Sequence, residues 1–201
     1  MTGLNDDQPL IEACRKGQTQ AFGELVRRYQ DRLYPTILRL SGSAEDAHDL
    51  VQDAFLRAFQ NLGRFQGDSS FYTWLYRIAV NLAISGRRRK RTTLRLSGTR
   101  RDEPIDPPDP SEGSDPTLPL ERAERNATIQ KALSALAPDH RAVVVLKEFD
   151  GLRYEEVAAV LGIPVGTVRS RLHRARCELR EKLRGVVDEP IAPAHQTPET
   201  R

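Results

Sequence analysis

Between Gly98 and Glu121 the chain reads "GTRRDEPIDPPDPSEGSDPTLPLE", with six prolines and almost no apolar side chain to bury. Proline fixes φ and withholds a backbone N–H, so no regular helix or central strand can run through such a stretch. A segment this polar cannot offset its ordering entropy by burial, and it reads as an extended, flexible linker. The chain therefore divides into a piece at 8–95, a linker at 96–120, a second piece at 121–186 and a tail at 187–201. The tail, with three prolines in "VVDEPIAPAHQTPETR", reads as disordered. Roughly 25 linker residues at about 3.3 Å each reach ~80 Å. Two turns of duplex DNA need less, at about 34–36 Å per turn. The two pieces can thus address separate sites on one DNA.

Both flanking pieces carry helical patterning. In "SAEDAHDLVQDAFLRAFQNLG", Ala47, Leu50, Val51, Ala54, Phe55, Ala58, Phe59 and Leu62 recur at steps of three and four, forming one apolar stripe. Ser43 is placed to cap this helix with Asp46 three residues on, and Gly63 to end it. Upstream, Phe22, Leu25, Val26, Tyr29, Leu33 and Ile37 mark another helix. Pro35 lies inside it and is expected to kink or split it. A third helix runs from about Ser70 to a basic block, and helicity resumes from Glu121 to about Arg184. The fold class is all-α: two small helical domains on a flexible acidic, Pro-rich tether.

Charge is segregated along the chain. From Arg87 to Arg101 there are eight Arg or Lys and no acid; from Asp102 to Glu121 there are seven acids and no base. A local basic block attracts phosphate whatever the net charge, here +3. Cys14 and Cys177 lie far apart without a CxxC partner, which argues against a disulfide or zinc site and suits a reducing cytoplasm. The start, "MTGLNDDQPL", lacks a signal-peptide layout, and no apolar run approaches the ~20 residues of a membrane span. Glycine-rich phosphate loops, nucleophile elbows and metal-spaced His/Cys sets are absent from the sequence, so an enzyme is not indicated and no cofactor is expected.

The sharpest local signal is "LRYEEVAAVLGIPVGTVRSRLHRARCELREKL". A short helix from Tyr154 to Leu161 places Val157, Ala158 and Leu161 on one face. Gly162 permits a tight turn and Pro164 favours restarting a helix. In the second helix Val168, Leu172 and Leu179 face inward, and small Ala158 lets the two helices cross closely, as a helix-turn-helix requires. Opposite lie Arg169, Ser170, His173, Arg174 and Arg176, spaced to enter a major groove. An isolated Arg-rich helix is more often a solvated face; the turn and the arginines together favour DNA.

A second concentration of chemistry is "FQGDSSFYTWLYRIAVN", residues 65–81, holding five of the chain's twelve aromatics. Phe71, Trp74, Leu75, Ile78 and Leu82 fall at core spacing. Thr73, Arg77 and Asn81 share a polar face flanked by Tyr72 and Tyr76, and "RRRKR" follows, led by Arg87 and Arg88. Such a surface suits stacking of unpaired bases with phosphates held alongside. It equally suits packing, since aromatic clusters are usually hydrophobic payload.

"AEDAHDLVQDAFLRAF", "FQGDSSFYTWLYRIAVN" and "YEEVAAVLGIPVGTVRSRLHRAR" together resemble the bacterial extracytoplasmic-function (ECF) sigma factors of the sigma-70 family. The likeness covers about residues 8–95 and 121–185. It implies one domain that binds and melts the −10 element, one that binds the −35 element, and docking on the clamp helices and flap of core RNA polymerase, which does the nucleotide chemistry. It implies that Asp49, Gln52, Asp53, Phe55 and Arg57 lie on or near the polymerase-gripping surface. It sets Phe65, Ser69, Ser70, Phe71 and Asn81 around a pocket for a flipped −10 base. It directs Arg169, Ser170, His173 and Arg174 to the −35 major groove, with Thr167 and Arg171 nearer phosphates. Promoter DNA, both double- and single-stranded, is then a partner, and the acidic linker is suited to the polymerase's basic RNA path. Many relatives are held inactive by an anti-sigma protein, which makes one a candidate partner. The rival expectation is a stand-alone helix-turn-helix regulator with a sensing or dimerising N-terminal bundle, which would bind two-fold symmetric duplex sites without polymerase.

Overall fold

The computed structural model describes residues 7–97 and 117–187; the Pro-rich stretch at 98–116 and the tail from 188 onward lie outside the described residues. Those residues form eight α-helices: α1 (Gln8–Arg15), α2 (Gln20–Ser41), α3 (Ala44–Gln60), α4 (Phe71–Ser97), α5 (Thr117–Ser134), α6 (Pro138–Val144), α7 (Tyr154–Leu161) and α8 (Val165–Val187). Two short turns complete them, a 3-10 turn at Leu62–Arg64 and a π-helical turn at Val145–Phe149.

The N-terminal module, α1–α4, is built on the expected stripe. Ala47, Ala54 and Ala58 of α3 are fully buried, and their small side chains let α2 and α4 approach. Leu25, Leu33 and Ile37 of α2 and Leu75, Ala79 and Val80 of α4 fill the space between. Ser43 caps α3 as expected: it is extended, and its Oγ accepts the Asp46 N–H at 3.3 Å. The helix stops earlier than its glycine suggested. Asn61 takes over after Gln60, its Nδ2 donating to the Arg57 carbonyl at 2.9 Å, and Gly63 sits inside the 3-10 turn. Nor does Pro35 split α2, which runs unbroken for 22 residues. Its missing N–H leaves the Asp31 carbonyl without an intrahelical donor. Helix α4 continues through the basic block to Ser97, and α5 starts at Thr117 rather than Glu121.

The C-terminal module, α5–α8, buries the apolar run Val143–Leu146 and the inward faces of Val157, Val168, Leu172 and Ala175. Gly162 ends α7 in the left-handed region at φ +65°, and the Ile163 N–H closes back on the Ala158 carbonyl at 3.1 Å. Both modules belong to a single continuous cluster of buried residues. The sequence led us to expect domains apart on a tether; here they are docked. Helix α4 packs on α6 and α7, and α2 packs on α6 and the π turn.

Polar bonds knit this seam, and most converge on the C-terminal end of α2. The last carbonyls of a helix have no intrahelical donor. Here Gln130 Nε2 donates to Leu38 O at 3.2 Å and Arg39 O at 3.3 Å, Arg141 Nη1 donates to Leu40 O at 3.1 Å, and Arg87 donates to Ser41 O. Arg87 also reaches Ser134 O at 3.0 Å, tying α4 to the end of α5. Arg141 is completely buried. Burial, and then the neighbouring Arg87 charge, pull it down to about 8. Its Nε bonds the Leu133 carbonyl at 2.5 Å.

Candidate nucleic-acid interface

In the helix-turn-helix, α8 presents the expected strip. Arg169, Ser170, His173 and Arg174 are exposed on one face, opposite buried Val168, Leu172 and Ala175. Thr167 is half-buried, and its carbonyl accepts the Ser170 hydroxyl at 3.1 Å. Arg169 lies over the Tyr154 ring, 5.7 Å from its centroid, which orients the guanidinium without neutralising it. Two of the expected cations are engaged within the protein. Arg171 pairs with Asp139 at 3.3 Å, and Arg176 pairs with Glu148 at 2.5 Å, which holds the Arg176 pKa above its usual value. The face left for a groove is therefore Arg169, Ser170, His173 and Arg174.

On α3, Asp49, Gln52, Asp53 and Arg57 are exposed together. Phe55, expected with them, points inward at 6% exposure and meets Phe22 edge-on at 6.3 Å. In its place Leu56 (51%) and Phe59 (38%) stand out beside the charges. Leu56 was missed because it lies off the apolar stripe. Phe59 was assigned to that stripe, where it only half packs, against Phe22 at 5.0 Å. An apolar residue that breaks the period on an otherwise charged face was the available signal.

The aromatic stretch separates into two layers. Phe71 (2% exposed) and Phe65 (7%) are core, meeting edge-on at 6.1 Å, and Trp74 lies 5.2 Å from Phe65. Both phenylalanine rings have little surface left for a base. Above them Ser70 starts α4: its Oγ accepts the Thr73 N–H at 3.1 Å and lies 2.8 Å from the Thr73 hydroxyl. Ser69 beside it is half-buried, and Asn81 is exposed about three turns further along. Arg87 is turned into the seam rather than toward a phosphate, and the Arg88 side chain lies outside the described residues.

Between the modules the polar face of α4 becomes one wall of a cavity of about 450 Å³. Arg32, Thr36, Tyr72, Thr73, Tyr76 and Arg77 line this side; Asp150 and Glu156 line the other. Arg32 stacks on Tyr72 at 4.1 Å. The Arg77 Nε is buried without a hydrogen-bond partner. Asp150 accepts the Thr36 hydroxyl at 3.0 Å and the Tyr76 hydroxyl. Burial raises the Tyr76 pKa, with the Asp150 charge adding to it. Desolvation likewise holds the Asp150 carboxyl above its usual range, against the opposing hydrogen bonds of Tyr76 and Thr36 and the charge of Arg39.

Comparison with known proteins agrees with this geometry. Residues 25–93 match the sigma-70 region 2 model and residues 127–179 match the sigma-70 region 4 model. The RNA polymerase sigma-H factor of Pseudomonas aeruginosa is 38% identical, covering 94% of this chain and 100% of that protein. The chain belongs to the ECF branch of the sigma-70 family. The ECF RNA polymerase sigma-E factor of Escherichia coli K12 is 39% identical over 90% of this chain and 96% of its own length. Among solved structures, the sigma factor RpoE bound to the anti-sigma factor NepR from Bartonella quintana shares 29% identity. It has a TM-score of 0.63 and covers 81% of this chain and 96% of its own. This sigma factor therefore works with RNA polymerase and promoter DNA in transcription initiation. Among its described residues no helix is long and apolar enough to cross a membrane.

Proposed function

We propose that the chain divides its labour as its two modules suggest: residues 8–95 engage polymerase and the −10 element, 121–186 engage the −35 element, and 96–120 join them in the cytoplasm. The observation that carries this division is the exposed, cationic four-residue strip on α8, opposite the buried Val168, Leu172 and Ala175. Arginine there suits guanine edges. The α3 face of Asp49, Gln52, Asp53, Leu56, Arg57 and Phe59 suits a coiled-coil-like polymerase element, with an apolar centre and charged rim. Ser69, Ser70 and Asn81, with the tyrosines and Arg77 of α4, supply hydrogen bonds and stacking for unpaired bases. Separating strands costs about 1.4 kcal/mol per step and stacking a base on a ring returns about 1–3 kcal/mol. A few captured bases can hold a bubble without ATP, so the chain needs no catalytic group of its own. An anti-sigma partner is consistent with the complex of the Bartonella relative.

The test is sequencing of transcripts started on genomic DNA by core polymerase with and without the purified chain. New 5′ ends sharing two elements at fixed spacing are expected; no chain-dependent start would refute the proposal. Asn81→Ala is expected to bind core polymerase normally yet leave −10 thymines unreactive to permanganate, and normal reactivity would remove Asn81 from strand capture.

A further inference from the structure

We infer that the cavity between the modules is a binding site for a purine nucleoside monophosphate. The inference goes beyond the proposed function and needs only the docked seam that the fold shows. The cavity, at about 450 Å³, lies within the roughly 300–1,000 Å³ of small-molecule sites, which favour domain interfaces. The charge on its two walls selects the ligand. Arg32 and Arg77 line the side built from α2 and α4; Asp150 and Glu156 line the side built from the end of the π turn and from α7.

Among the described residues no ion pair joins these walls. Asp150 accepts the hydroxyls of Thr36 and Tyr76, and Glu156 accepts the Arg153 N–H at its own helix cap at 2.7 Å. Arg32 stacks on Tyr72 at 4.1 Å. Arg77 is half-buried with its Nε wholly buried, and among the described residues it makes no hydrogen bond. A guanidinium carries five N–H donors, and leaving them unbonded away from water is costly.

Opposite charges that face each other without meeting suit a bridging molecule, anionic at one end and rich in donors at the other. Phosphate fits the arginine side, because guanidinium forks bind it bidentately. A purine fits the remainder. Its ring can extend the Arg32–Tyr72 stack and rest on Leu152 and Val160, which also line the cavity. Its amino group can donate to Asp150 or Glu156, since a carboxylate has about four acceptor positions and neither uses all of them. Phosphate alone leaves the acidic wall unanswered, and a nucleoside leaves the guanidiniums so.

The full-length chain is titrated with GMP by calorimetry and by thermal unfolding. Saturable binding and a dose-dependent rise in the unfolding midpoint are expected. Guanosine and inorganic phosphate, each matching one wall, should bind at least about tenfold more weakly. Ala159→Trp fills the cavity from an exposed position on α7, and Arg32→Glu reverses the charge at an exposed position on α2. Each should weaken GMP binding at least about tenfold with the helical circular dichroism retained. Photolabelling with 8-azido-GMP should mark peptides from both walls, 72–77 and 150–160.

Lack of saturable GMP binding overturns the site, as does binding that survives both substitutions or a label confined to other peptides. Phosphate that binds as tightly as GMP overturns the nucleotide assignment. None of these outcomes touches promoter-directed initiation, which the transcript sequencing tests separately.

Discussion

At the scale of single residues, the two arginine environments in this protein behave oppositely. Arg174 stands in solvent on α8, on the strip proposed to meet DNA, so its loss leaves the packing of the protein unchanged. Arg174→Ala is expected to leave thermal stability unchanged and to weaken −35 duplex binding by about 1–3 kcal/mol, with relaxed preference at one base pair. Titration of matched and single-base variants of the mapped promoter checks this. Arg141 is fully buried and holds the carbonyls of Leu40 and Leu133. Hydrogen bonds to a charged donor are worth about 1.5–3 kcal/mol each, offset by the desolvation of the charge. Arg141→Ala should therefore destabilise the chain by about 2–4 kcal/mol in urea unfolding, with the duplex-binding strip on α8 intact at low denaturant.

At the scale of elements, the end of α2 and the start of α3 share one corner. Gly42 turns there at φ +83°, and Ser43 caps the next helix. Ser43→Ala should cost about 1 kcal/mol through the orphaned Asp46 N–H, read as a shift in urea midpoint. The same corner is where Gln130, Arg141 and Arg87 finish the exposed carbonyls of α2, so a helix terminus of one module is satisfied largely by the other. That explains why α2 and α6 pack so specifically: an apolar contact alone would not choose a register, but four carbonyls at a helix end do.

At the scale of the whole molecule, docking is coupled to pH through Asp150. Desolvation raises its carboxyl pKa in the closed seam, so closing favours the protonated form. The support this group gives to docking is fully present below the ordinary carboxylate value and is lost as pH rises through the raised one. The other ionisable groups at the seam are Arg32, Arg39, Arg77, Arg87, Arg141, Tyr72, Tyr76 and Glu156. Of these Arg141, with its pKa lowered to about 8, opposes Asp150 by favouring docking as pH rises through that value. Through Asp150, lowering the pH toward the ordinary carboxylate value should shift the chain toward the compact form in small-angle scattering. Expansion over that range would show that another seam group dominates.

Periodicity and turn chemistry alone were enough for the all-α class, the helix-turn-helix with its Gly162 corner, the Ser43 cap and the cationic strip on α8. These depend on contacts within a few residues, which spacing encodes directly. Periodicity put Phe55 on the apolar stripe while the family resemblance put it on or near the polymerase surface, and Arg87 and Arg171 were expected near phosphates and Arg176 in the groove. In the structure Phe55 points to the core and the three arginines are held by Ser41, Asp139 and Glu148. Which way an aromatic on a half-apolar helix turns, and whether a cation finds an internal carboxylate, depends on neighbours distant in the chain. Pro35 could only be read as a breaker, because a helix gripped along its length by α3 and α4 keeps its course despite one lost hydrogen bond. Above all, a proline-rich tether specifies that two modules exist and how far apart they can move. That they close on each other was decided by surface complementarity between residues as distant as Thr36 and Asp150, and no local pattern records it.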